Sequence, residues 1–287
     1  MSVSIDRKGF ALPRSAAADF EIFAIGDIHG RSDLLAALLD EAAREPRLGR
    51  ERALVFLGDL IDRGPDSLGA IDLAIGAAGR IGAQHSFALM GNHELMMRLA
   101  VASPDGVGDA LEALDTWRRN GADKFIDEFV ASDRLPDAPR QRLDAIRAAL
   151  PPRIAQWLAG LRPSWRSGEI LFVHAGVNPR YNLEAFLATP WDMPLRFVDE
   201  ERHWAWVRWP FLEHDPRPEG WSGFFVVHGH TPNDAKLHVS HDDQIDRFRL
   251  NLDAGSGNTG VAEMAIIRAD RAEVVAARGP TNKAMGA

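Results

Sequence analysis

Three times in its first hundred residues the chain runs from a short apolar stretch into a glycine, then into groups that bind cations or move protons. Residues 20–25 lead into Gly26-Asp27-Ile28-His29-Gly30. Residues 53–57 lead into Gly58-Asp59-Leu60-Ile61-Asp62-Arg63-Gly64, and residues 86–90 into Gly91-Asn92-His93-Glu94. Short apolar runs bounded by turn residues read as buried strands. Between the first two, Leu34, Leu35, Leu38, Leu39 and Ala42 form an apolar stripe at helical spacing, with Ser32 as a cap. Residues 67–78 repeat the helical pattern with Leu68, Ile71, Leu73 and Ile75. Alternating strands and helices predict an α/β fold with its chemistry at the carboxyl ends of the strands. Chance places one such cluster; three in phase are not accidents of core packing.

The second half continues the theme after an interruption. Residues 95–165 are mostly helical by pattern, with amphipathic stretches at 109–118, 122–129 and 140–150, and a shorter one at 154–161. The strand pattern then resumes: residues 169–173 lead to His174-Ala175-Gly176, and 223–227 to His228-Gly229-His230-Thr231-Pro232. Arg208 lies among Trp204, Trp206 and Trp209, and further strands are expected at 247–252, 261–268 and 272–277. Residues 20–287 therefore read as a single domain with a helical insertion at about 95–165. Residues 1–19, with Pro13 and Ala16-Ala17-Ala18 offering little to pack, read as a flexible N-terminal arm.

Five strand ends thus present Asp27 with His29, Asp59 with Asp62 and Arg63, Asn92 with His93, His174, and His230. The chain has no cysteine, so thiolate ligands are excluded. Imidazole, carboxylate and carboxamide together suit Mn²⁺, Fe or Zn better than Ca²⁺. Asp27, His29, Asp59, Asn92, His174 and His230 are more ligands than one ion needs if water also binds, so two ions are expected. A pair of ions about 3.5–4 Å apart polarises a phosphoryl oxygen and generates hydroxide at neutral pH. A planar guanidinium such as Arg63 suits bidentate contact with phosphate. His228 alternates with His230 and competes with it as a ligand, and Arg208 has an alternative role stacking on its tryptophans. His85, His203, His214, His238 and His241 read as surface or packing histidines.

The other partner classes find little support. The net charge is −8 with no long basic run, which gives no footprint for nucleic acid. No stretch approaches the ~20 uninterrupted apolar residues of a membrane helix. Residues 1–19 lack the apolar core of a secretory signal. A cytoplasmic location is expected.

The motif series GDIHG at 26–30, GDLIDRG at 58–64, GNHE at 91–94, HAG at 174–176 and GHTP at 229–232 resembles that of the metallophosphoesterases. The full GDxxDRG and GNHE forms are similar to the PPP-type protein serine/threonine phosphatases, in their bacterial and phage branch. The resemblance runs from about Phe20 to Asp253, and the stretches WRRNGAD at 117–123 and WVRWPFL at 206–212 also fit. It implies the calcineurin-like fold: a central β-sandwich of two mixed sheets flanked by helices, with a dinuclear site at the strand ends. It further implies one ion on Asp27, His29 and Asp59, and a second on Asp59, Asn92, His174 and His230, with Mn²⁺ the expected identity. His93 would be the general acid, Asp62 its orienting partner, and Arg63 and Arg208 the phosphate clamp. The chain departs from the pattern at Ala254, where the family commonly shows threonine.

The activity so implied is removal of phosphate from phosphoserine and phosphothreonine of a phosphoprotein or phosphopeptide, by attack of metal-bound hydroxide without a covalent phosphoenzyme. The alternative is hydrolysis of diadenosine tetraphosphate or another small phosphoester. The related symmetrical hydrolases typically lack the acidic residue that Asp62 supplies. An inactive phosphate-binding regulator ranks last, because no ligand and no acid is missing from the series.

Overall fold

A computed structural model describes residues 3–102, 107–232 and 245–285. The strands β1 (Ser4–Ala11), β2 (Phe20–Ile25), β3 (Glu51–Phe56), β4 (His85–Ala88), β10 (Val261–Arg268) and β11 (Arg271–Arg278) form one mixed sheet. Its order is β1-β11-β10-β2-β3-β4. The second sheet holds β5 (Ser164–Ser167), β6 (Ile170–Val173), β7 (Phe225–His228), β8 (Ile245–Asp246) and β9 (Arg249–Asn251), in the order β5-β6-β7-β9-β8. The motif-bearing strands are parallel within each sheet: β2, β3 and β4 in the first, β6 and β7 in the second. Their carboxyl ends therefore emerge on a common edge.

Side chains alternate across a strand, so a strand covered on both faces must be apolar throughout. Ile22, Ala24, Ala53 and Val55 point into the space between the sheets, where they meet Phe172, Phe225, Val227 and Leu250. Their neighbours Phe23, Ile25, Leu54 and Phe56 face the other way, toward the helices α1 (Ser32–Arg44) and α2 (Ser67–Ile81). The expected two mixed sheets flanked by helices are present. Continuous apolar runs in the sequence reflect burial on both faces.

The helical stretch after β4 comprises α3 (Asn92–Val101), α4 (Val107–Trp117), a π-helical turn (Arg118–Ala122), α5 (Asp123–Asp127), α6 (Pro139–Ala149) and α7 (Pro152–Ala159). Helix α4 packs on α3 and α6, and α7 on α2. Pro139 and Pro152 open their helices, where a missing N–H costs nothing. Among the described residues no helix is long and apolar enough to cross a membrane. His238 and His241 lie outside the described residues.

One expectation needs correction. Residues 4–11, read as part of a loose arm, form β1 and pair antiparallel with β11 along their whole length, from Ser4 opposite Arg278 to Ala11 opposite Arg271. Six of these eight positions are exposed, so this edge strand has no apolar run to betray it. Charge fixes it instead: Arg7 pairs with Glu41 and Glu45 of the α1 region and with Glu273 of β11.

Candidate active site

The loops after β2 and β3 are stitched together by their backbones. Asp59 O accepts hydrogen bonds from Ile28 N and His29 N (3.0 and 2.9 Å), and Leu60 O accepts one from Gly30 N (2.8 Å). His29, Asp59, Asp62, Arg63 and His230 all have φ between 47° and 72°, a left-handed backbone that side chains other than glycine rarely adopt. Buried hydrogen bonds hold that strain. Glu94, in the first turn of α3, is fully buried, and its carboxylate accepts from Asp59 N (2.8 Å), Leu60 N (2.9 Å) and Gly91 N (3.1 Å). Glycine is required where the loops meet: a Cβ on Gly91 would lie 2.1 Å from Asp59 Oδ1, and one on Gly229 2.0 Å from Asp27 Oδ1.

Three imidazoles are tethered alike, each by one ring nitrogen to a backbone carbonyl. His174 Nδ1 is 2.9 Å from Leu57 O, His29 Nδ1 is 2.9 Å from Ile61 O, and His230 Nε2 is 3.2 Å from Trp206 O. A carbonyl only accepts, so each tethered nitrogen carries the proton and the other presents a lone pair. Burial, foremost, holds all three rings below their ordinary pKa, which keeps them neutral.

Two of these lone pairs converge, while that of His29 Nε2 accepts from Arg63 Nη1. His174 Nε2 lies 3.1 Å from Asn92 Oδ1 and 3.4 Å from Asp59 Oδ1, and His230 Nδ1 lies 2.9 Å from Asn92 Oδ1. Asn92 Oδ1 and Asp59 Oδ1 are themselves acceptors, so these atoms face one another without a proton to share. That is the environment a divalent cation satisfies. Asp59, His174 and His230 form one group whose ligand atoms lie within 4.8 Å of one another, and His29, Asp59 and His93 form another. Asp59 belongs to both. Asp27 belongs to neither, but its Oδ1 is buried with no hydrogen-bond partner among the described residues, while Oδ2 accepts from His230 N at 3.0 Å. Burial, then the charges of Asp253 and Asp59, raise the Asp27 carboxyl. A cation beside that bare oxygen would reverse the shift, so the donor set fits a metal pair.

His93 differs from the other three rings. Its Nδ1 is 2.6 Å from Asp62 Oδ2, and its Nε2, buried and without a hydrogen-bond partner among the described residues, stands 3.9 Å from Asp59 Oδ2. Burial alone would lower this imidazole, but the Asp59 charge and the Asp62 hydrogen bond outweigh it and raise the pKa. Asp62 is fully buried, and its Oδ2 also accepts the indole N–H of Trp117 at 2.7 Å.

Arg63 and Arg208 line one cavity of about 340 Å³, together with Asp59, Asn92 and His230. Arg63 Nη1 donates to His29 Nε2 (3.0 Å) and Nε to Asn120 O (3.3 Å). Arg208 stands 3.7 Å from Glu200. All ten residues singled out in the sequence are thus near this edge. Of the two competing histidines, His230 joins the cluster; His228 is buried against Phe211, with its Nδ1 3.1 Å from Gly229 O. Sequence reading missed Glu94, Trp117 and Asp253. Asp253 is a buried carboxylate that accepts from Gly255 N (2.8 Å), and burial pushes it up to about 6. Glu94 and Trp117 sit inside matched motif stretches, which was the available signal; Asp253 only marks the end of the resemblance, beside Ala254.

A family model described as calcineurin-like phosphoesterase matches residues 20–271. Over 104 residues the chain is 36% identical to serine/threonine-protein phosphatase 1 of Salmonella typhimurium, covering 36% of this chain and 40% of that protein. Over 183 residues it is 29% identical to a symmetrical bis(5'-nucleosyl)-tetraphosphatase of Azotobacter vinelandii, covering 63% of this chain and 53% of that protein. The chain thus spans about half or less of the length of these curated relatives. Among solved structures, a cold-active protein-tyrosine phosphatase of a psychrophilic Shewanella superposes with a TM-score of 0.50 at 16% identity, covering 88% of this chain and 80% of that one. At that identity the likeness speaks for the fold alone.

Proposed function

The chain belongs to the calcineurin-like phosphoesterase family, and we propose that within it the protein is a serine/threonine phosphatase, folded as one domain with residues 95–165 as an insertion. Hydrolysis of a phosphoester by a metal-dependent hydrolase is the family's chemistry; the substrate is the proposal. Asp27, His29 and Asp59 would hold one divalent ion, and Asp59, Asn92, His174 and His230 a second, Mn²⁺ being the first choice. Bound there, the pair supplies Lewis-acid polarisation of the phosphoryl group and a water of lowered pKa.

The observation that carries the reading is the buried pair His93 Nδ1–Asp62 Oδ2 at 2.6 Å, with His93 Nε2 turned toward Asp59. Serine and threonine leave as alkoxides, which need a proton as the P–O bond breaks. A tetraphosphate cleaved symmetrically releases nucleoside diphosphates, which leave as stable anions. A raised, oriented imidazole is suited to the first case. The Nε2 proton passes to the departing oxygen, whose bonding pair stays on it, and Asp62 holds the resulting neutral ring in register. Arg63 and Arg208 orient the phosphate oxygens, and positioning with charge stabilisation provides most of the catalysis of phosphoryl transfer.

The dinucleotide reading is favoured by one fact: the tetraphosphatase relative matches more of this chain than the phosphatase does. Rates on a phosphoserine peptide and on diadenosine tetraphosphate, measured side by side with Mn²⁺ supplied, decide between them. We expect the peptide to be the faster substrate; a strong preference for the nucleotide overturns the proposal.

A further inference from the structure

The segment after α3 does more than cover the site. Trp117, the last residue of α4, is fully buried, and its indole N–H meets Asp62 Oδ2 at 2.7 Å, on the same oxygen that accepts from His93 Nδ1 at 2.6 Å. The next residues leave α-helical geometry for a π-helical turn with Gly121 at φ 105°. That turn presents Gly121 O to Arg63 N (3.2 Å) and Asn120 O to Arg63 Nε (3.3 Å). Further on, Glu128 accepts from Ser67 N and Leu68 N, both at 2.6 Å, at the start of α2. Contacts from one helical segment therefore fall on Asp62, on Arg63 and on the helix that follows them.

We infer that Trp117 is a positioning residue for the acid, acting through Asp62. A buried indole N–H needs an acceptor wherever it sits, so core packing alone would be content with any oxygen. Here it meets the oxygen that orients His93, while Asp62 Oδ1 has no hydrogen-bond partner among the described residues. An indole can only donate, so the contact favours the carboxylate form of Asp62. It also pins the carboxylate: with Oδ2 held from two directions, the group cannot turn Oδ1 toward His93. The ring is then fixed with its proton on Nδ1 toward Asp62 and Nε2 toward the reacting side.

The inference rests on the assignment of His93 as the acid, and the test separates the two. Trp117→Phe keeps the ring and removes the donor; 3-benzothienylalanine at the same position, nearly isosteric with sulfur in place of N–H, serves if the phenyl ring packs poorly. The metal-free protein is followed by proton NMR through the imidazole Nδ1–H resonance, assigned by its loss in His93→Ala. We expect that resonance to shift or to broaden by exchange in both Trp117 variants. In the Mn²⁺-loaded enzyme, kcat on a phosphoserine peptide should fall about 10–100-fold, the range typical when a partner orienting an imidazole is removed. KM and bound metal should be unchanged, and the loss on p-nitrophenyl phosphate, whose leaving group departs without a proton, should be much smaller. An unmoved resonance, or equal losses on both substrates while His93→Ala discriminates between them, overturns the role of Trp117. If His93→Ala itself loses activity equally on both substrates, the acid assignment falls, and the NMR shift still reports whether Trp117 orders the Asp62–His93 pair.

Discussion

The two sheets meet at the site but equip it differently. From the first come Asp27, His29, Asp59, Asp62 and Arg63, on loops with left-handed backbone at four of these residues, and Asn92 and His93 at the start of α3. From the second come His174 and His230, whose rings are tethered to the carbonyls of Leu57 and Trp206. The first side holds its geometry through hydrogen bonds made by residues outside the proposed ligand and clamp set, such as Glu94. The second side depends on each imidazole and its carbonyl. Remote substitutions should therefore damage the first side and spare the second.

The sharpest break in that contrast is His93→Ala, which removes the proposed acid while leaving His174 and His230 in place. We expect kcat on a phosphoserine peptide to fall about 10²–10⁴-fold, with metal content by elemental analysis nearly intact. Loss of metal instead would place His93 among the ligands, where its proximity to His29 and Asp59 makes it a rival to Asp27.

Next come the proposed ligands. Asp59→Asn should weaken both ions together, and His174→Ala only one, each by more than the 10–100-fold typical of outer partners. Titration of the metal-free protein with Mn²⁺ reads the difference. His228→Asn should leave the titration unchanged although His228 is as buried as His230 and two residues away; a weakened ion would mean the wrong histidine has been assigned.

A smaller effect tests the support of the first side. In Glu94→Gln an amide NH₂ replaces one acceptor oxygen and faces a backbone N–H. Leaving such a buried donor unpaired costs about 1–3 kcal/mol. Urea unfolding should show it, accompanied by weaker metal binding, because the Asp59 loop loses its anchor.

The smallest effect lies away from both sides. Burial pushes His203 down to about 4 from the usual 6.5. Its folded pKa lies below the unfolded one, so the unfolded chain takes up the proton first as pH falls. The stabilisation is present above about 6.5 and is lost on the way down to about 4. Linkage puts the loss from this residue at about 2 kcal/mol between pH 7 and pH 5. Denaturant unfolding at the two pH values should show a smaller decrement in His203→Gln than in the parent.

How far the residues spoke for themselves depended on burial and distance along the chain. Strands β2, β3, β6 and β7 were legible because both faces are buried, which forces continuous apolar runs. The edge strand β1 was not, because its ladder is made by backbone and its outward side chains are charged. Helix ends moved by a few residues; α2 runs to Ile81 and stops at Gly82 in a left-handed cap. Asn92 and His93 proved to open α3 itself, so the helix fixes their spacing and Glu94 falls back onto the Asp59 loop. Asp62 was read as the partner of His93 through resemblance alone; their 31-residue separation carries no local signal.

By itself, then, the sequence determined the kinds of group at the site and the strand ends that carry them, because ligating chemistry and apolar periodicity are properties of local residue order. Tertiary structure alone decided where Asp253 lies and that Trp117 shares Asp62 with His93. Those are matters of which groups meet across more than fifty residues of chain, and of a left-handed backbone that only packed neighbours can hold.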